Sequence, residues 1–234
     1  MGFTIGGIRG RRDIGRRDFG SVRRARTSAG HAATAVAEYT GLWGWDVLPG
    51  APLVRAPGGG RVCSCAAGAA CPAPGEHPLP DARPVPAGTP LDEVTDAWAD
   101  TPAAAVLLPV GRAFDALEVS AVAGRRALPR LERMGLPLGP VSATPDGRAH
   151  FFVAPGAAAE LPRLLYRMGW DGARLDLRCL GRGDHLLAPP CDLRGLGPVR
   201  WLRPPTLDTA GGPPPARLLL GTLAYAQSCW LRSG

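Results

Sequence analysis

The chain has no lysine: all 27 of its basic residues are arginine. Gly (32) and Pro (26) are abundant beside it, the joint bias of a GC-rich coding sequence, so arginine number alone argues weakly for nucleic acid. No stretch has the length of a membrane span; the longest apolar run, from Leu218 to Trp230, contains Gln227. Met1 to Gly7 lack the apolar core of a signal peptide. Without such a signal, the six cysteines point to a reducing compartment, where thiols stay free or bind metal. A cytoplasmic protein without a membrane partner is expected. There is no internal repeat.

What is present is enough for one sizeable domain, with 234 residues and 45% hydrophobic content. Charge is unevenly placed. Residues 1–30 hold eight arginines against Asp13 and Asp18, a balance of +6 out of the total +7. The rest has nineteen arginines against eighteen acids, a balance of +1. We therefore expect a basic disordered leader over 1–30, whose attraction to phosphate would be salt-sensitive. A domain over 31–205 follows, and then a Pro-rich linker and C-terminal helix over 206–234.

The apolar pattern predicts a helix from Ala32 that ends at Gly41, and a short strand at Trp45–Leu48. Residues 50–90 read as a long Pro- and Gly-rich loop, of a length that implies a function or disorder. A helix is expected over Leu91–Trp98, strands at Val106–Val110 and Phe114–Val119, and an Arg-rich amphipathic helix over 121–134 with Val122, Leu128 and Leu131 toward the core. A hairpin turns at Pro145-Asp146-Gly147, and a helix runs from Leu161 to Met168. Leu175 to Pro190 reads as strand, Gly-rich turn and strand, a second hairpin with Asp176 and Arg178 on one face. Val199–Leu202 is a last strand.

Three stretches carry chemistry-bearing residues in order. Leu117-Glu118-Val119-Ser120 places Glu118 and Ser120 on one strand face, with Asp115 on the other. Asp146-Gly147-Arg148-Ala149-His150 is a turn leading into an apolar strand. Asp176 and Arg178 form the third. Together with Trp98, Pro102 and Gly111 between the early elements, this order resembles the prim-pol family, the bifunctional DNA primase/polymerase domains of the archaeo-eukaryotic primase superfamily. The resemblance covers about residues 33–205.

It implies an α/β fold with a mixed, largely antiparallel sheet flanked by helices. It also implies template-directed nucleotidyl transfer with Mg²⁺ or Mn²⁺, in which Glu118 and Asp176 hold the divalent ion and His150, Arg148 and Arg178 meet the nucleotide's phosphates. Catalytic residues are then Glu118, Asp176 and His150. The family pattern has a second carboxylate where this chain has Ser120, so catalysis is expected to be attenuated and Ser120→Asp to raise it. The partners implied are nucleotides and single-stranded or primed DNA. Two other readings stand beside this one. The domain is a non-catalytic nucleotide- or nucleic-acid-binding module, or it is a zinc-stabilised scaffold that meets a protein partner through its C-terminal helix.

Cys63, Cys65, Cys71 and His77 fall within the 50–90 loop. Three thiolates and an imidazole are a tetrahedral zinc set, and an ion would hold such a loop in one shape. Cys179, Cys191 and Cys229 are scattered and read as small buried residues.

Overall fold

The computed structural model describes residues 32–231. The basic leader over 1–30 lies outside them. The first helix, α1, covers 32–37 and continues as a π-helical turn, Glu38–Leu42. Strand β1 (Leu48–Gly50) leads into the Pro/Gly-rich loop. That loop holds a small hairpin, β2 (Leu53–Arg55) with β3 (Arg61–Cys63), and a 3-10 turn, Gly68–Ala70. It is tied back to β1 by bridges from Val85 to Val47 and from Pro78 to Gly50, so it is ordered where the sequence reads as irregular.

Helix α2 (Leu91–Ala99) begins with Asp92 and Glu93 in its first turn, where acids oppose the positive end of the helix dipole. Strands β4 (Ala105–Pro109) and β5 (Asp115–Ser120) follow, then helix α3 (Ala121–Arg133). The phase of α3 is set by its small residues. Ala121, Ala123, Gly124 and Ala127 face inward with Leu128 and Leu131, whereas Val122, expected in the core, is exposed. Gly124 is required there: a Cβ would lie 2.7 Å from the Cβ of Ala149 on the sheet beneath.

Strands β6 (Val141–Ala143) and β7 (Arg148–Val153) form the expected hairpin. Helix α4 (Ala157–Arg167) starts four residues before the expected Leu161. Asp115 accepts the Ala158 N–H at 2.9 Å and so caps the earlier start, with Pro162 accommodated inside. Strands β8 (Leu177–Leu180), β9 (His185–Leu187) and β10 (Arg200–Arg203), the short helix α5 (Leu207–Ala210) and helix α6 (Arg217–Leu231) complete the chain.

The larger sheet has the order β10-β6-β7-β5-β8 and the smaller β1-β4-β9, and every pairing in both is antiparallel. One expectation is overturned here. β8 and β9 are not a hairpin: β8 joins β5 in the larger sheet, and β9 joins β4 in the smaller. The turn at 181–184 carries the chain from one sheet to the other, and it passes so close to Gly111 that a Cβ there would lie 2.4 Å from the Cα of Arg182. Gly111 also has φ of 100°, which excludes a side chain on both counts.

Alternation on the central strands divides the interior. Leu117, Val119, Ala149 and Phe151 face α3, α4 and α6, whose Leu219, Leu220 and Leu223 are fully buried with them. Within the expected Pro-rich linker, Ala210 is buried, and the Pro214 carbonyl accepts the Ala154 N–H. On the other face, Ala116 and Phe152 meet Trp45, Phe114 and Trp201 in an aromatic cluster. Two positions further along the same strand face, Glu118 and His150 take the places of the apolar residues.

Candidate functional site

Glu118 sits on β5, between β7 and the edge strand β8 of the larger sheet, directly opposite His150 on β7 and Arg178 on β8. It is buried, with 5% exposure. An ionised carboxylate is costly to bury unless its oxygens are paired, and here they are paired with three cationic or potentially cationic donors. Arg178 donates two parallel bonds, Nε to Oε1 at 2.8 Å and Nη2 to Oε2 at 2.9 Å. Arg148 adds Nε to Oε1 at 2.9 Å. His150 Nε2–H donates to Oε2 at 3.2 Å, and its Nδ1 accepts from the Ser142 hydroxyl at 3.4 Å. Burial would raise the Glu118 carboxyl, but the His150 and Arg178 hydrogen bonds and charges hold it well below the usual carboxylate range.

Asp176 lies one residue before β8 and is tied to the same group. Its Oδ2 accepts from Arg148 Nη1 at 2.6 Å. That bond, opposed by burial and reinforced by Glu118, pushes the Arg148 guanidinium up. Arg178 is also raised, chiefly by its hydrogen bonds to Glu118. Glu118, Arg148, His150, Asp176 and Arg178 thus come together. Ser120 does not join them. It is the last residue of β5, and its Oγ accepts the Ala123 N–H as the cap of α3 and donates to Gln227 Oε1 of α6 at 3.2 Å.

Two contributors carry no motif in the sequence. Ser142 is tied to the site only by its cross-strand register with His150. Gln227 is fully buried, and its Nε2 has no acceptor among the described residues.

A second cluster lies in the loop. The ligand atoms of Cys63, Cys65, Cys71 and His77 all fall within 4.8 Å of one another, so they could hold a metal ion. A tetrahedral ion with bonds of about 2.3 Å sets its sulfurs about 3.8 Å apart, and the cluster needs little adjustment to reach that. His77 Nδ1–H donates to the Pro78 carbonyl at 2.8 Å, which leaves Nε2 directed at Cys63 Sγ, 3.2 Å away. Burial raises the Cys63 thiol, but backbone N–H groups of Cys65 and Gly75 and the His77 ring more than offset it, and it is lowered to about 6. Glu76 pairs with Arg194 and pins the end of the loop. A cavity of about 410 Å³ borders this loop, lined by Arg61, Gly75, Ala103, Cys191 and Asp192 among others, and includes none of the Glu118 group.

One face of the antiparallel sheet thus gathers two carboxylates, two guanidiniums and an imidazole. A family model described as bifunctional DNA primase/polymerase, N-terminal, matches residues 36–217, and the chain belongs to that family. No curated protein and no solved structure matches it.

The family binds nucleotides and DNA and generally uses divalent metal ions. The donor set at Glu118 does not suit two such ions. Both carboxylate oxygens already accept charged donors, Asp176 is latched by Arg148, and the Ser120 hydroxyl is committed to α3 and Gln227. Two carboxylates against two guanidiniums leave no net negative charge to offset metal.

Proposed function

We propose that this domain is a nucleotide- and nucleic-acid-binding form of the primase/polymerase fold, with nucleotidyl transfer weak or lost. The observation that carries this reading is the double engagement of Arg148, which neutralises Glu118 and Asp176 together. Arg178 is the outward-facing member, with 67% of its side chain exposed, so its remaining N–H groups are free to meet a phosphate. His150, locked between Ser142 and Glu118, fixes the floor beneath it. Glu118 acts as the anchor that preorganises the two guanidiniums rather than as a metal ligand. In the Cys63, Cys65, Cys71 and His77 cluster we propose zinc, which would hold the loop beside β1.

Calorimetric titration with a deoxynucleoside triphosphate, with Mg²⁺ and again with EDTA, tests the reading. Binding that survives EDTA and weakens about tenfold in Arg178→Gln is expected, the loss of one charge-assisted contact. Primer extension that Asp176→Asn abolishes would overturn it and restore Asp176 to a catalytic role.

A further inference from the structure

Beyond the nucleotide site, and independently of it, we infer that the outer face of α3 and the neighbouring Tyr225 form a track for single-stranded nucleic acid. The count of +1 over residues 31–234 conceals a separation of charge. Helix α2 exposes Asp92, Glu93 and Asp96 and no base, with Asp100 exposed at its C-cap, whereas α3 exposes Arg125, Arg126, Arg130 and Arg133. Its one acid, Glu132, is paired with Arg203 at 3.4 Å, which brings a further guanidinium to that end. Among the described residues no carboxylate pairs with the four arginines of α3.

Their spacing makes a row. Arg126, Arg130 and Arg133 follow i, i+4, i+7, within an arc of about 60° and with axial steps of about 6 and 4.5 Å. A flexible strand can follow such steps with its phosphates. The row also carries an aromatic. The Arg130 guanidinium lies over the Tyr225 ring, 5.2 Å from its centre, and Tyr225 is 49% exposed. A base that stacks on the open part of that ring gains a sequence-independent contact, the combination found where proteins follow single strands. Helix α3 is capped by Ser120, which lies across the strand pair from Arg148, so the row leads away from the Glu118 group, with Arg126 about 9 Å and Arg133 about 20 Å along the axis from the cap.

The test uses the full chain and a fluorescent oligothymidylate, with affinity measured by anisotropy over a range of salt. In Arg126→Gln/Arg130→Gln/Arg133→Gln, three lost phosphate contacts should lower the slope of log affinity against log salt by about 2. Tyr225→Ala should weaken binding roughly fivefold or more without changing that slope. Triphosphate binding should be unchanged in both, whereas Arg178→Gln should do the reverse, so failure of the track and failure of the nucleotide site are told apart. Arg130→Gln alone, with an expected slope change of about 0.7, serves if the triple variant does not fold. An unchanged affinity and slope in the triple variant overturns the track. Equal binding to a duplex with no effect of Tyr225→Ala overturns the single-strand assignment. A salt-dependent increase in mass without oligonucleotide, lost in the triple variant, would assign the face to α2 of a second copy instead.

Discussion

Arg148 bridges Glu118 and Asp176, with its Nε 2.9 Å from one carboxylate and its Nη1 2.6 Å from the other. The two acids share one cationic partner. Most of what can be tested about this domain turns on that guanidinium and on the carboxylate beneath it.

Glu118→Gln removes the buried charge and leaves Arg148, Arg178 and His150 without their common acceptor. Breaking a buried pair from one side costs about 3–5 kcal/mol, so the variant should melt at clearly lower temperature. Differential scanning calorimetry reads the difference; an unchanged Tm would show that the cluster contributes nothing to folding.

The same carboxylate predicts the acid response. Its folded pKa is depressed, so the unfolded chain takes up the proton first as pH falls. The stability that Glu118 contributes is complete above its unfolded value of about 4.3, and it is lost as pH falls from there toward the folded pKa. Urea unfolding between pH 6 and pH 3, reference conditions on the order of the carboxylate range, should fall more steeply in the natural chain than in Glu118→Gln.

Zinc in the loop cluster should reach about one ion per chain in protein purified without chelator, and Cys65→Ala should remove it. Elemental analysis checks both. Metal-free protein with all four ligands intact would overturn the zinc assignment and leave the loop held by its backbone bridges, the β2–β3 hairpin and the Arg194–Glu76 pair.

Ser120→Asp now has a different expected outcome from the one its strand position implies. Aspartate is as good a helix cap as serine, and once the Gln227 amide turns over, its Nε2, which lacks an acceptor, donates to the new carboxylate in place of the Ser120 bond to Oε1. We expect the variant to fold, with stability within about 1 kcal/mol of the natural chain, and to gain no primer extension. Restored extension would show that position 120 reaches the Glu118 group after all.

Alternation was enough to put Glu118 on one face of β5 and Asp176 with Arg178 on one face of the third stretch. Both are properties of backbone period. That the motifs meet was implied only by their order, which resembles the primase/polymerase family, and the cross-strand register supplies the pairing. Alternation failed at Ser120 because a strand's last residue is also the first cap of the next helix, and the helix claimed the hydroxyl. The hairpin expected over Leu175–Pro190 failed for another reason. A short turn normally joins neighbours in one sheet, and nothing local says that β9 will find β4 instead. The role of Arg148 was also illegible, since its ties to two acids depend on contacts across three strands. The spacing of Cys63, Cys65, Cys71 and His77 was visible, but the hairpin that folds them together was not.

The match to the family ends at residue 217, while the hydrophobic interior does not. Leu219, Leu220 and Leu223 on α6 are wholly enclosed, and at about 1.5–3 kcal/mol for each buried side chain they supply as much as the entire net stability of many domains. The interior of the folded unit therefore extends past the matched residues. A chain cut after Arg217 would keep every residue of the Glu118 group and lose the wall behind the sheet, and its circular dichroism and solubility should report collapse rather than a trimmed, working domain.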